Sequence, residues 1–144
     1  MKRALIVVIV VGVVLFGLLQ LIPVNRANPP VVREVRWDSP ETRALAARAC
    51  FDCHSNETKF PWYASIAPPS ILLSNHITEG RDNINFSDWD NYYLDYDEIE
   101  EQIVEGKMPP ASYLLMHPEA QLSDAEKQQL LDGFEATIEA DPGQ

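Results

Sequence analysis

The first 25 residues are apolar almost without interruption. From Ala4 to Ile22 the only polar side chain is that of Gln20, and Val and Ile occur on every side of the predicted helix. Nineteen helical residues rise about 28 Å, which is close to the thickness of a bilayer's hydrocarbon core. A buried helix of a soluble protein would carry a polar stripe. The pattern therefore predicts one membrane-spanning helix.

The residues around this helix predict its orientation. Lys2 and Arg3 precede the apolar run, and the positive-inside rule keeps such cations in the cytoplasm. The rest of the chain is then expected in the periplasm, or on the outer face, of a bacterial inner membrane that the chain crosses once. A cleaved signal peptide is the alternative, although "PVNRANPP" offers no clear cleavage site. The expected organisation is an anchor over 1–25, a tether over 26–37 and a domain over 38–144.

The remaining pattern predicts four short helices, long loops and no strand. Each helix has a start or stop signal, such as Ser39 before Pro40, or Gly80 and Gly106 after the last turn. Ser123 and Glu126 have the spacing of a capping box. The helices are expected over 40–50, 69–80, 97–105 and 124–138, the last with Leu130, Leu131, Phe134 and Ile138 along one side.

Two stretches are predicted to be neither helix nor strand. Residues 60–69 hold too many prolines for a helix or a strand, and the aromatic, acidic stretch 85–96 is expected to be irregular. Loops of this extent are uncommon in a compact domain unless something organises them. A large bound cofactor would do so.

The charge of the exported part limits its partners. From Arg26 onward the chain has 9 basic and 22 acidic residues, and from Cys50 onward 4 basic and 19 acidic. Nucleic acids are excluded, because their phosphates are held by Lys and Arg. The acidic surface favours basic protein partners, although solubility alone would also explain it.

Both cysteines of the chain lie in "ACFDCHS", residues 49–55, with a histidine directly after the second. A thioredoxin-type dithiol would follow a strand and begin a helix, whereas these cysteines end an Ala-rich helix. A structural zinc site needs four ligands and normally a second tight pair, and His76 and His117 are far apart in sequence. C-x-x-C-H is the attachment signature of c-type haem. Cys50 and Cys53 would each bind one vinyl group, and His54 would bind the iron.

A second axial ligand is expected on the other side of the iron. Met108 follows Gly106 and precedes two prolines, so its side chain has no helical packing role and is the best candidate. Met116, in the run "YLLM", is expected in the core. His76 and His117 remain open as alternatives. Arg81 is expected to pair with a propionate, and five aromatic residues could wall the macrocycle or simply form the core: Phe60, Trp62, Tyr63, Trp89 and Tyr113.

Four segments carry a family resemblance: "CFDCHSNETKFPWY", "IAPPS", "EGRDNINFSDW" and "GKMPPASYLLMHPEAQLSDAEKQQL". They resemble a bacterial family of small exported proteins, the haem-binding domain family, over roughly 50–131. The order of helices and motifs is also similar to that of monohaem cytochromes c, in which the first and last helices cross. The resemblance implies a haem c held by Cys50, Cys53 and His54, with Met108 matching the methionine of an MPP segment. The last helix departs from it, since "LLDGFEA" has Phe134 where a tryptophan is expected, while Gly133 would allow a close crossing.

These features together predict an all-α, cytochrome c-like bundle around one covalent haem c per chain. With His54 and Met108 both bound, the iron has no open site, so an electron carrier is expected rather than an enzyme. Its partners would be redox proteins, and the N-terminal helix would hold it at the membrane. The alternative is a haem-based sensor or peroxidase-like enzyme with a displaceable distal ligand.

Overall fold

The computed structural model describes residues 1–92 and 94–143. In that part of the chain the regular elements are helices, and one isolated parallel bridge joins Arg33 and Asp88. The all-α prediction is confirmed. The α-helices are α1 Lys2–Leu19, α2 Pro40–Ala49, α3 Phe51–His54, α4 Pro69–Asn83, α5 Tyr96–Val104, α6 Ala111–Leu114 and α7 Asp124–Ala140, and 3₁₀ turns cover Trp62–Ser65, Trp89–Asn91 and Pro118–Ala120.

Helix α1 is exposed along its whole length. None of its residues is buried, and the helix is long and apolar enough to cross a membrane. It ends at Leu19, before the end of the apolar run, and the chain then turns. A signal sequence would have the same length and composition, so the span itself stays a prediction.

The helix caps that the sequence predicts are present. The Thr42 backbone N–H donates to Ser39 Oγ at 3.1 Å, and Pro40 is the first residue of α2. At the start of α7 the Glu126 N–H donates to Ser123 Oγ at 3.3 Å, while the Ser123 N–H donates to Glu126 Oε2 at 2.8 Å. This reciprocal pair is a capping box.

Helices α2 and α7 cross at Gly133. A Cβ atom at that position would overlap the Thr42 hydroxyl and would lie 2.6 Å from Thr42 Cγ2, well inside van der Waals contact. Thr42 is itself buried and its hydroxyl is 2.9 Å from Ser39 Oγ, so it cannot move aside freely. The close crossing expected from Gly133 is confirmed.

The core beneath this crossing is aromatic. The Trp37 ring lies 5.2 Å from that of Phe86 and 5.6 Å from that of Phe134, and Phe51 stacks on Phe86 at 5.5 Å. Such separations suit offset and tilted ring pairs. Phe134 is buried at the site where the resemblance led us to expect a tryptophan, and Trp37 brings an indole to the same cluster from outside the helix.

The segment expected to be a tether, 26–37, packs against the domain over its second half. Val35 is buried, its N–H donates to the Phe86 carbonyl at 3.1 Å, and the Trp89 N–H donates to the Arg33 carbonyl at 3.0 Å. The chain therefore runs alongside the segment that contains Phe86 and Trp89. Burial of Val35 and Trp37 accounts for this docking. The second half of this segment is therefore packed on the domain and is not a free linker.

Helix α4 is longer than predicted. It passes through Gly80 and ends at Asn83, so the expectation of a stop at Gly80 is wrong. At Gly80 the helix packs closely against the backbone of Cys53, and a residue with a side chain would not fit there. By contrast, Gly106 has φ 69° just beyond the end of α5, which is the left-handed conformation expected of a terminating glycine.

The irregular stretch after α4 belongs to the core. Phe86, Ser87 and Trp89 are buried, and a 3₁₀ turn covers Trp89–Asn91. Tyr93, within the same predicted stretch, lies outside the described residues. The short helix α6 in the loop after Met108 is not among the predicted helices, because four residues are too few to show a periodic pattern.

An ion pair fastens the C-terminal end to the segment before α2. The Arg33 guanidinium donates to Asp141 Oδ1 at 2.7 Å and to Oδ2 at 2.9 Å, and the Arg36 N–H donates to Oδ2 at 3.0 Å. The Arg33 hydrogen bonds lower the pKa of Asp141 below its ordinary value, although burial opposes them. The charged form of the Asp141 carboxylate is therefore stabilised in the folded protein.

This pair makes stability depend on pH. A carboxyl with a lowered folded-state pKa binds more protons when unfolded, so its contribution is complete above about pH 4 and is lost as the pH falls further. Asp141→Asn is expected to lower Tm at neutral pH by roughly 5 °C and to weaken the acid dependence of Tm. Asp90→Asn is the matched control, since Arg33 also contacts Asp90 but that side chain is 53% exposed. Equal melting curves for the two variants, recorded between pH 2 and 7, would contradict the prediction.

Candidate functional site

The two cysteines and the histidine share one helical turn. Cys50 lies between α2 and α3, and its N–H donates to the Ala46 carbonyl at 2.8 Å. Its own carbonyl accepts from the N–H groups of Cys53 at 3.1 Å and His54 at 2.9 Å. These hydrogen bonds continue across the junction, although Cys50 itself has non-helical backbone angles (φ −123°, ψ −35°) and separates the two helices. This geometry places all three side chains on one short turn.

The thiols are not arranged for dithiol chemistry. Cys50 and Cys53 are not joined by a disulfide. Burial raises the pKa of Cys50 to about 12, and burial together with Asp52 raises that of Cys53 to about 11. A reactive dithiol needs the opposite shift, since the thiolate is the nucleophile. The raised pKa values favour the protonated form of both thiols.

His54 is oriented by the backbone that follows α4. Its Nδ1 lies 3.2 Å from the Ile84 carbonyl, and its own carbonyl accepts from the Phe86 N–H at 2.8 Å. A carbonyl can only accept, so Nδ1 carries the proton in this hydrogen bond. Burial lowers the pKa of His54, which favours the neutral ring. The lone pair is then on Nε2, the nitrogen that binds a metal when a carbonyl holds Nδ1 of the same ring.

Helix α4 touches this turn at Gly80. A Cβ atom there would lie 2.6 Å from the Cys53 carbonyl oxygen and 3.0 Å from its carbonyl carbon. Backbone atoms cannot rotate away as a side chain can. Only glycine therefore allows α4 to lie this close to Cys53, and the same helix delivers Ile84 to His54.

Two loops meet beside the motif through a chain of polar contacts. The Tyr113 hydroxyl donates to Asp52 Oδ2 at 2.7 Å, and the Tyr113 ring stacks on His117 at 4.3 Å. The Tyr63 hydroxyl lies 2.7 Å from His117 Nε2. Asp52 stands inside the C-x-x-C-H motif. The loops at 60–69 and 108–118 are thus connected to each other and to α3.

These contacts bear on the alternative iron ligands. His117 Nδ1 lies 3.2 Å from Glu119 Oε1, so both ring nitrogens of His117 already have partners. His76 is exposed on α4. Met116 is 51% exposed, so the expectation that it belongs to the core is wrong. Met108 is 38% exposed, and its N–H donates to the Gln102 carbonyl at 3.0 Å.

The same loops expose several large apolar side chains. Trp62 is 73% exposed and stands edge-on to Tyr63, while Leu115 is 81% exposed. Trp89 lies elsewhere, fully buried, with its Nε1–H donating to the Asp141 carbonyl at 2.7 Å. Of the five aromatic candidates, Trp89 is thus a core residue. Tyr63 and Tyr113 border the motif.

Arg81 has a different environment from the one expected. Its guanidinium donates to the Ser55 carbonyl at 2.8 Å, to Asn28 Oδ1 at 2.8 Å and to Thr58 Oγ1 at 2.9 Å. It joins α4 to the loop after the motif and to the segment that follows α1. Arg81 was expected to pair with a haem propionate, but its guanidinium is already hydrogen-bonded to these three protein groups. These partners are not predictable from the sequence, because an arginine's long-range contacts leave no local pattern.

The described residues do not provide the ligands of a structural zinc site. Among residues 1–92 and 94–143, no group of three or more His, Cys, Asp or Glu side chains is placed to hold a metal ion. Structural zinc needs four such ligands. The motif residues instead suit a ligand that takes two thiols and one imidazole from the same turn.

That arrangement, in an all-α domain, is typical of a protein that binds a porphyrin through a short helical turn. Residues 14–136 match the haem-binding domain family, and the chain belongs to that family. No curated protein and no solved structure matches the chain. The protein is therefore a haem-binding protein. Its residues fit the group, because an oriented neutral imidazole, two adjacent thiols and exposed apolar side chains lie together.

Proposed function

We propose that the protein is a membrane-anchored c-type cytochrome that carries single electrons outside the cytoplasm. The hydrogen bond from His54 Nδ1 to the Ile84 carbonyl is the observation that carries this proposal. It would leave Nε2 to bind the iron, on the same turn that carries the two thiols. When bound, the haem would supply an iron that takes up and releases one electron.

Covalent attachment is supported by the two thiols. Each S–H group of Cys50 and Cys53 would add across one vinyl double bond, the sulfur bonding to one carbon and the hydrogen to the other, with no external oxidant. The hydrogen bond from Tyr113 to Asp52 would help to hold the turn between the two cysteines. Loss of haem is then prevented even when the non-covalent contacts are weak.

Met108 would supply the second protein ligand to the iron. The Gln102 carbonyl accepts from the N–H groups of both Lys107 and Met108, at 2.9 and 3.0 Å, and so fixes the loop that carries the sulfur. A thioether ligand favours ferrous iron relative to a second imidazole. Trp62 and Tyr63, with Leu115, would cover the macrocycle and keep water from it.

The location follows from α1 and the charge pattern. Lys2 and Arg3 would remain in the cytoplasm, α1 would span the inner membrane, and the haem domain would face the periplasm or the outer side. The excess of acids beyond Cys50 would favour a redox partner with a basic surface. An anchored carrier stays near the membrane complexes with which it exchanges electrons.

Carbon monoxide binding to the purified ferrous protein tests the carrier function. If His54 and Met108 both hold the iron, the low-spin spectrum is expected to stay unchanged under carbon monoxide. A new carbonyl band would contradict this and would support the sensor or peroxidase-like alternative, in which the distal ligand is displaceable. The same titration on Met108→Ala serves as the positive control, because that variant should bind the gas.

A further inference from the structure

Gln20, the single polar residue in the apolar run, has an unusual partner. Its Oε1 accepts from the Ala67 N–H at 2.9 Å, and its Nε2 donates to the Ala67 carbonyl at 3.2 Å. Nε2 also donates to the Phe16 carbonyl at 3.0 Å. An amide at the edge of a bilayer is costly unless it is hydrogen-bonded. The side chain therefore joins the end of α1 to the turn at 65–69.

Further contacts extend this connection along the chain. Arg26 Nη1 donates to Ser65 Oγ at 2.6 Å, and Asn28 Nδ2 donates to the Thr58 carbonyl at 2.9 Å. The Ser74 hydroxyl donates to the Asn25 carbonyl at 3.3 Å. Residues 20–28 are thus bonded to the haem domain at several points. They do not form a free linker.

The segments joined by these contacts also lack acidic residues. The two longest stretches without an acidic residue are 1–33 and 58–78, and these are the stretches that the contacts above bring together. Both carry cations, among them Arg26 and Lys59. The anionic surface of a phospholipid membrane repels carboxylates and attracts such cations. One face of an otherwise acidic domain is therefore compatible with lipid headgroups.

We propose that the turn 65–69 rests on the lipid headgroups beside the end of α1 and fixes the orientation of the haem domain on the membrane. This inference rests on the anchoring part of the proposed function. Gln20 directly follows α1, so a spanning α1 puts Ala67, bonded to Gln20, at the level of the membrane boundary. Ile66, 38% exposed, and the exposed Pro68 and Pro69 would face the headgroups. A fixed domain presents one face to its redox partners, whereas a tethered one would sample many.

Photo-crosslinking to lipid tests this contact. The full-length haem-loaded chain, in vesicles of phosphatidylcholine and phosphatidylglycerol, would carry benzoylphenylalanine in place of Ile66, Pro69, Leu18 or Gln129. Gln129 is exposed on α7, remote in sequence from these contacts, and Leu18 lies in the predicted span. After irradiation, lipid adducts measured by mass spectrometry are expected at positions 18, 66 and 69, several-fold above position 129.

The outcomes separate the two claims. Labelling at 18 but not above the level of 129 at 66 and 69 would overturn the fixed orientation and leave the anchor intact. Absence of labelling at 18 would overturn the anchor and this inference together. Gln20→Leu keeps the span apolar and removes both bonds to Ala67, so labelling at 66 should fall several-fold while that at 18 is unchanged. Equal labelling at 66 with and without Gln20 would refute the role given to that side chain.

Discussion

Replacing Met108 with alanine is expected to leave the haem attached and to convert the ferric iron from low spin to high spin. The thiols and His54 are untouched by this change, while the sulfur that would fill the sixth position is removed. The loop should keep its course, because its backbone bonds to the Gln102 carbonyl do not involve the side chain. Absorption spectroscopy of the oxidised protein measures the change.

Met116→Ala is the matched control for this experiment. Met116 lies in the same loop region and is more exposed than Met108, so its removal should leave the low-spin spectrum as it was. If Met108→Ala also keeps that spectrum, the distal ligand is another group. Met116, His76 or His117 would then be tested in turn.

Gly80→Val is expected to destabilise the domain by about 3 kcal/mol and to reduce the yield of haem-loaded protein. Even alanine, which gains up to about 1 kcal/mol in helix propensity over glycine, would place a carbon 2.6 Å from the Cys53 carbonyl oxygen. Overpacking costs typically about 1–3 kcal/mol, and the atom in the way here is backbone, so the clash outweighs the propensity gain. Displacing α4 would also move the Ile84 carbonyl from His54.

The control for Gly80→Val is Asn75→Val, at an exposed position of the same helix. Asn and Val have similar helix propensities, so this variant isolates the contact with Cys53 from the effect of valine on the helix. Thermal unfolding and the haem content of the purified protein are the two measurements. Matching Tm values and haem contents for the two variants would show that the Gly80 contact is not needed.

Local signals in the sequence predicted much of the fold. Ser39 and Ser123 are predictable as caps because a side-chain oxygen before a helix has one favourable role there, to accept from the first free N–H groups. The crossing at Gly133 followed from the lack of a side chain. A glycine near the end of a predicted helix can have either of two roles, however. At Gly106 it ends the helix, whereas at Gly80 it permits contact with Cys53, and only the tertiary structure distinguishes them.

The parts of the site that the sequence did not predict depend on backbone atoms and distant partners. The carbonyl that orients His54 comes from Ile84, a residue whose side chain has no part in the bond. Arg81 makes four hydrogen bonds that join segments far apart in the chain. The docking of 32–37 has a local signal, since Val35 and Trp37 are apolar residues at the end of a segment, 26–37, that also contains Pro, Asn and Arg.

Peptide mapping of the mature protein tests the central claim most directly. Trypsin cleaves after Arg48 and Lys59 and releases residues 49–59, which contain both cysteines and His54. After expression in a host that assembles c-type cytochromes, denaturation and extraction with acidified acetone, this peptide should still carry the mass of one haem. Recovery of the peptide with both thiols free to react with iodoacetamide, and of the haem in the extract, would contradict covalent attachment at Cys50 and Cys53.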